Sequence, residues 1–164
     1  MIIGCSGAGK STFAKRLQAL TQLPLVHLDQ RYWLPNWQEP DKASWRAQIQ
    51  ALSDQEKWIM DGNYGGTMDI RLPRADTVIY LDYPTWRCLW RITKRIIHYH
   101  GEVRPDMPSG CRERFDLNFY HYVATYNLKR RPVLLQRLQA LDKDVQVIYL
   151  RNDGEAANLL CKLE

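Results

Sequence analysis

Five short apolar segments recur along the chain, and polar segments with helical or turn-forming character separate them. Short apolar runs are typical of buried strands, whereas Phe13, Leu17 and Leu20 recur at the spacing of a helix. The predicted strands are residues 1–3, 23–28, 57–60, 77–81 and 145–150. Strands that alternate with helices predict a three-layer α/β domain with a mainly parallel sheet.

The intervals between these strands carry helix start signals. Asp41 or Ser44 can cap a helix, Pro84 can begin one, and Asn152 or Asp153 can cap the last. The predicted helices begin at residue 10, cover residues 45–52, 84–99 and 115–141 with an interruption near residue 132, and run from 153 to the C-terminus, with a short helical turn at 67–72.

One segment carries a motif with specific chemistry. Residues 4–11 read Gly-Cys-Ser-Gly-Ala-Gly-Lys-Ser, the P-loop pattern, between a predicted strand and a predicted helix. Its glycines let successive backbone N–H groups converge on a polyphosphate, Lys10 can contact the β and γ phosphates, and Ser11 can ligate magnesium. The alternative is a tight turn that binds no ligand. We therefore expect ATP and Mg²⁺, bound chiefly through Gly4, Gly7, Ala8, Gly9, Lys10, Ser11 and Thr12.

Acidic and aromatic residues follow the second and third predicted strands. Parallel sheets bind ligands at the carboxyl ends of their strands, so these residues should stand at the mouth of the site. Asp61 can hold a magnesium-bound water beside the P-loop. The turn-rich residues 30–53 predict a flap over the site. The candidate substrate-binding residues are Asp29, Arg31, Tyr32, Trp33, Asn63, Tyr64 and Arg71.

Arginines concentrate between residues 87 and 114, where acidic residues are few. Arg91 and Arg95 are four apart in a predicted helix and so point from one face. Residues 100–115 show no periodicity and predict a mobile loop. The net charge of +5 favours anionic partners without choosing between nucleotides and nucleic acid. A solvated helix face is the alternative explanation of the arginines.

Length and composition restrict the class of protein. A chain of 164 residues, with 45% hydrophobic and 25% charged residues, is typical of one globular domain. No apolar stretch has the length of a membrane span, and no basic-then-apolar leader precedes the P-loop, so we expect a cytoplasmic protein without membrane contact.

The inner motifs resemble a known group of proteins. These motifs read GCSGAGKST, HLDQRYWLPNW, WIMDGNYGGTMDIRLPRADTVIYLD and RPDMPSGCRERFD. They resemble the DNA topology modulation proteins, a group of small P-loop proteins similar to adenylate kinase and to other nucleoside and nucleotide kinases. The resemblance covers nearly the whole chain. It implies the P-loop kinase fold, with sheet order 2-3-1-4-5 and an arginine-bearing lid at about residues 100–115.

The resemblance also implies roles for single residues. Lys10 and Ser11 match the kinases' phosphate lysine and magnesium hydroxyl, and Asp61 matches the acid that opens the Asp-Gly-Phe-Pro-Arg motif of adenylate kinases. That motif here reads Asp-Gly-Asn-Tyr and lacks its acceptor-binding arginine. Arg71 lies a few residues further on. The arginines that match a kinase lid or the helix leading into it are Arg91, Arg95, Arg104, Arg112 and Arg114.

The residues fit two kinds of phosphoryl acceptor, a hydroxyl and a phosphate. A hydroxyl acceptor benefits from a carboxylate that takes its proton, and Asp29, followed by aromatic residues, is similar to the aspartate of nucleoside kinases. A phosphate acceptor needs arginine clamps, for which Arg31 and Arg71 are candidates. If the acceptor is a phosphate, the role of Asp29 is to cap a turn or to bind magnesium through water.

The predicted function is transfer of the ATP γ-phosphoryl to a small hydroxyl, nucleoside or nucleotide acceptor. The candidate catalytic residues are Lys10, Asp29, Arg95 and Arg104. The alternatives are a DNA-associated ATP-binding protein and a nucleotide-controlled switch without phosphotransfer. The sequence contains no helix-turn-helix, zinc module or single-strand platform that would support DNA binding by itself.

Overall fold

A computed structural model of the chain describes residues 1–104 and 107–163, so residues 105 and 106 of the predicted lid lie outside the described residues. The strands are β1 (Ile2–Gly4), β2 (Leu25–His27), β3 (Ile59–Asp61), β4 (Thr77–Leu81) and β5 (Gln146–Leu150). The α-helices are α1 (Lys10–Thr21), α2 (Leu28–Tyr32), α3 (Lys42–Ser53), α4 (Met68–Arg71), α5 (Thr85–His98), α6 (Leu117–Lys129), α7 (Arg131–Gln139) and α8 (Asp153–Cys161). Short 3₁₀ turns occupy Pro35–Trp37, Gly65–Thr67 and Leu72–Arg74.

The five strands form one sheet in the order β2-β3-β1-β4-β5, and every neighbouring pair is parallel. This confirms the predicted three-layer α/β fold and its sheet order. Since the strands are parallel, their carboxyl ends share one edge, where the chain passes from β1 into the P-loop and from β3 into the loop after Asp61.

Apolar side chains cover both faces of the sheet, which explains the unbroken apolar runs of the strands. On one face, Phe13 and Leu17 of α1 pack with Ile2 and Ile79. The core of the opposite face holds the residues Ile3, Val78, Tyr80, Leu134 and Leu138, the last two from α7. A third cluster packs α3 onto β2 and β3.

Several boundaries differ from the predicted ones. The apolar run at residues 23–28 forms a strand only over Leu25–His27, because Leu28 begins α2 while staying fully buried. The burial of Leu28 was therefore predicted correctly, but its strand conformation was not. At the start of α3, Asp41 accepts a hydrogen bond from the backbone N–H of Ser44, so Asp41 is the cap. Within residues 1–104 and 107–163, none of the helices combines the length and apolarity that crossing a membrane requires.

Candidate active site

A cleft of about 1260 Å³ lies at the carboxyl edge of the sheet. The P-loop, α2, the loop after β3, α5, the lid segment and the α6–α7 junction all contribute to its walls. Trp37 and Glu39 of the predicted flap also line it. The predicted site residues that the cleft brings together are Gly7, Ala8, Gly9, Lys10, Ser11, Thr12, Asp29, Trp33, Asp61, Asn63, Tyr64, Arg91, Arg95 and Arg104.

Close packing explains why two positions of the P-loop segment are glycine. A Cβ on Gly7 would lie 2.4 Å from the Cys88 carbonyl oxygen, and φ is +83° there. A Cβ on Gly4 would lie 2.6 Å from the Leu81 carbonyl oxygen. Gly4 does not line the cleft, so the prediction that it binds phosphate is corrected: its glycine is needed where β1 meets β4.

Lys10 begins α1, and its ammonium donates a hydrogen bond to the carbonyl oxygen of Cys5 at 3.1 Å. This bond holds the side chain against the P-loop, while the side chain still lines the cleft. No side chain caps the N-terminus of α1 in the described residues. The N–H groups of this first turn therefore suit an anion.

Asp29 is held in the cleft by Tyr64. The Tyr64 hydroxyl donates a hydrogen bond of 2.6 Å to Asp29 Oδ1. Burial, followed by the charge of the Asp29 carboxylate, raises the pKa of Tyr64, so the hydroxyl keeps its proton and can donate throughout the neutral range. One Asp29 oxygen is thus fixed by the tyrosine, and the side chain is partly open to the cleft.

Asp61 ends β3 and is 96% buried, with a relative exposure of only 4%. Its Oδ2 lies 2.9 Å from Nδ1 of His27, whereas its buried Oδ1 has no hydrogen-bond partner within the described residues. A buried carboxylate oxygen without a partner needs a polar ligand such as a metal-bound water. The described residues contain no group of three or more His, Cys, Asp or Glu that could hold a metal alone. Asp61 and Ser11 therefore fit Mg²⁺ carried mainly by nucleotide phosphates and water.

Asn63 ties the loop after β3 to the P-loop. Its side-chain oxygen accepts a hydrogen bond of 2.9 Å from the backbone N–H of Gly4. Asn63 was predicted to bind substrate, and its side chain does line the cleft. The hydrogen bond shows that it also fixes the distance between the two loops.

Arg71 was predicted to clamp an acceptor phosphate, and the structure corrects this. Its side chain is fully buried, and its guanidinium donates to the carbonyl oxygens of Gly62, Asn63 and Tyr64. Burial lowers the pKa of Arg71 to about 10, which leaves the guanidinium charged at neutral pH. Arg71 therefore holds the loop that presents Tyr64 to Asp29.

Two further predicted substrate residues lie outside the cleft. Arg31 is exposed and does not line it. Tyr32 packs between other rings, with its centroid 4.7 Å from that of Tyr64 and 5.1 Å from that of Trp45. Trp33 does line the cleft, and its ring meets Tyr32 edge to face at 5.0 Å. Tyr32 therefore supports the wall that Trp33 and Tyr64 present.

Arg91 joins α5 to the P-loop and to α8. Its guanidinium makes two hydrogen bonds to Asp153, of 2.7 and 2.8 Å, and one of 3.1 Å to the Ala8 carbonyl oxygen. It also lies 5.3 Å from the centroid of the Tyr83 ring. The Asp153 pair sits beside the loop after β5, so three elements meet at this side of the cleft.

Arg95 of α5 and Arg104 of the lid both contact the buried carboxylate of Glu113, at 3.0 and 2.7 Å. Glu113 was not predicted as a site residue. Single β-bridges pair His100 with Glu113 and Val103 with Arg112, so the described ends of the predicted loop are connected. The contacts place Arg95 and Arg104 together in the cleft.

One wall of the cleft, at the α6–α7 junction, was not predicted from the sequence. Tyr122, Lys129, Arg130 and Arg137 line it. The run of basic residues at 129–131 is visible in the sequence, but such runs are usually solvated faces. Only the packing of α6 against α7 brings these residues to the P-loop edge.

The chain was also compared with known proteins. No family model and no curated protein matches it. Among solved structures, the deoxyadenosine kinase from M. mycoides with bound dCTP is 14% identical, with a TM-score of 0.52, and the match covers 98% of this chain and 95% of that one. An unliganded sugar kinase from Janibacter sp. is 17% identical, with a TM-score of 0.51, and the match covers 98% of this chain and 88% of that one.

At these identities the likeness establishes the fold alone. The resemblance to DNA topology modulation proteins stays a prediction, since neither neighbour bears on it. What the sheet order and the two neighbours together show is a kinase-like P-loop fold.

Proposed function

We propose that the chain is an ATP-dependent phosphotransferase that moves the γ-phosphoryl group to a hydroxyl of a small acceptor. One observation carries the proposal: the P-loop residues Lys10 and Ser11 line the same cleft as Asp29, whose carboxylate is held by Tyr64. A phosphate-binding loop and a positioned base are the two parts that such a transfer needs. The kinase-like fold supports the same reaction class.

The ATP side of the cleft is assigned to the P-loop and its neighbours. The N–H groups of Gly7 to Thr12 and the Lys10 ammonium hold the phosphates, and Arg91 lies beside the nucleotide. Ser11 and Asp61 would hold the magnesium. When bound, Mg²⁺ neutralises charge on the phosphate oxygens.

The acceptor side is assigned to Asp29, Trp33, Asn63 and Tyr64, all of which line the cleft. The acceptor oxygen attacks the γ-phosphorus, its proton passes to the Asp29 carboxylate, and the bond from the γ-phosphorus to the bridging oxygen breaks, which releases ADP. Arg95 and Arg104 supply positive charge to the transferred group.

In this proposal, residues 1–164 form one kinase-like domain. The flap, about residues 30–53, contributes Trp33 to the acceptor side, and the lid, about residues 100–115, contributes Arg104. Closure of both segments would exclude water, which competes with the acceptor for the phosphoryl group.

Replacing Lys10 by alanine tests the ATP site directly. Loss of a charge-assisted hydrogen bond to phosphate should weaken Mg·ATP binding about 10- to 100-fold. Calorimetric titration of wild type and variant measures this. Lys15→Ala is the matched control, because Lys15 is an exposed lysine of the same helix that does not line the cleft. Equal ATP affinity in wild type and Lys10→Ala would refute the proposed site.

A further inference from the structure

Three basic side chains line the cleft at the α6–α7 junction and have no part in the proposed transfer step. Lys129 ends α6, Arg130 lies between the helices, and Arg137 lies in the last turn of α7. All three are exposed. The Arg130 guanidinium carbon is 4.4 Å from the centroid of the Tyr122 ring, and Arg137 donates a hydrogen bond of 3.1 Å to the Gly65 carbonyl oxygen.

Several basic residues of the cleft are ion-paired, whereas these three cations, like Lys10, Arg16 and Arg114, have no ion pair within the described residues. Arg91 pairs with Asp153, and Arg95 and Arg104 both pair with Glu113. Within residues 1–104 and 107–163, by contrast, Lys129, Arg130 and Arg137 form no ion pair. Asp69, whose pKa is lowered mainly by Arg46 and to a smaller degree by Arg137, offsets part of the Arg137 charge. Cations that form no ion pair still attract an anion into a cleft.

The same wall adjoins the acceptor side. Tyr122 is half-buried and lines the cleft together with Asp29, and the Arg130 guanidinium lies over its ring. Arg137 reaches the carbonyl of Gly65, the residue after Tyr64. One small molecule in the cleft can thus meet Asp29 and the basic cluster together.

We propose that the acceptor is a phosphate ester whose phosphate is bound by Lys129, Arg130 and Arg137 while a separate hydroxyl lies at Asp29. This inference rests on the proposed function and narrows its substrate class. Three cations suit a phosphate dianion better than a single carboxylate, and the planar fork of an arginine can bind two phosphate oxygens at once. Arg31 and Arg71, the clamps expected from the sequence, are exposed outside the cleft and fully buried, respectively.

Calorimetry with matched probes tests the inference. The protein is first saturated with Mg²⁺ and the β,γ-imido analogue of ATP, so that the P-loop is filled and no transfer occurs. Ribose is then compared with ribose 5-phosphate, cytidine with cytidine 5′-monophosphate, and inorganic phosphate is titrated alone. The phosphate-bearing probe of each pair should bind about 10-fold or more tightly than its partner.

Variants locate the effect. Arg130→Gln and Arg137→Gln should each weaken the phosphate esters about 10-fold and leave ribose and cytidine unchanged. Lys143→Gln, which removes an exposed charge away from the cleft, should have no effect. Three results would each overturn the inference. The first is that neither inorganic phosphate nor the phosphate esters bind, and the second is that both members of each probe pair bind equally tightly. The third is that the preference for the phosphate-bearing probe persists in a protein that carries both Arg130→Gln and Arg137→Gln.

The first step of this experiment separates the two proposals. If the ATP analogue does not bind, the P-loop assignment has failed by itself. The same probes are then titrated into Lys10→Ala protein, whose P-loop lacks its phosphate lysine. If phosphate-bearing probes still bind more tightly, and this preference disappears in Arg130→Gln and Arg137→Gln, the phosphate site at Lys129, Arg130 and Arg137 is supported although the ATP site has failed. If no such preference is seen, that phosphate site is refuted as well.

Discussion

Replacing Asp29 by asparagine should lower the rate of phosphoryl transfer about 10²- to 10⁴-fold, the usual effect of removing a general base. Asparagine keeps the shape of the side chain and can still accept a hydrogen bond from Tyr64, but it takes no proton from an acceptor. ATP affinity should stay unchanged, because the phosphates are assigned to the P-loop. The measurement is ATP-dependent phosphorylation of nucleosides, nucleoside monophosphates, small sugars and sugar phosphates.

Two companion variants separate proton transfer from other roles of the carboxylate. Tyr64→Phe removes one hydrogen bond and should reduce the rate about 3- to 10-fold, because the Asp29 carboxylate is no longer held in place by the tyrosine. Glu39→Gln removes another negative charge from the cleft without touching that hydrogen bond, so its effect should be much smaller. If Asp29→Asn turns over nearly as fast as wild type, Asp29 is not the base. If the accepted substrates are then all monophosphates, the acceptor's phosphate is the nucleophile and the proposed hydroxyl acceptor is wrong.

Much of the fold could be predicted because parallel strands are buried on both faces and leave plain apolar runs. The prediction for β4, residues 77–81, matches the observed Thr77–Leu81. The order of the strands in the sheet could not be predicted in this way, because no apolar pattern encodes which strands are neighbours. The prediction of the order came from the resemblance to P-loop kinases. The run ending at Leu28 shows the limit: burial of a side chain does not decide between strand and helix.

The site was predictable where a motif fixes the backbone and less so where side chains reach across the fold. Lys10 and Ser11 follow from the P-loop spacing, and the sheet edge brings Asp29 and Asp61 beside them. Arg71 could not be assigned from sequence, because an arginine four residues from a turn can point to substrate or back to the turn. Arg137 was missed because nothing local connects it with Gly65.

Arg71 is the residue whose loss should destabilise the protein most among those discussed. Its guanidinium satisfies carbonyls of Gly62, Asn63 and Tyr64 in a loop where Tyr64 has φ +36°, a conformation unfavourable for a residue with a Cβ. Arg71→Met keeps the apolar stem and removes the donors to the Gly62 and Asn63 carbonyls, whereas the Tyr64 carbonyl still accepts hydrogen bonds from Thr67. The free energy of unfolding should fall by about 3 kcal/mol, measured by denaturant titration.

Arg74→Met is the matched control, because Arg74 lies in the following turn with half of its side chain exposed (51%) and a weak 4.0 Å ion pair to Asp54. Its effect should stay below about 1 kcal/mol. Transfer activity adds a second measurement: in Arg71→Met the loop no longer holds Tyr64 against Asp29, so the rate should fall even at temperatures where the variant is fully folded. An Arg71→Met protein with wild-type stability and activity would show that the loop keeps its form without the guanidinium, and Arg71 would then be available to a ligand after all.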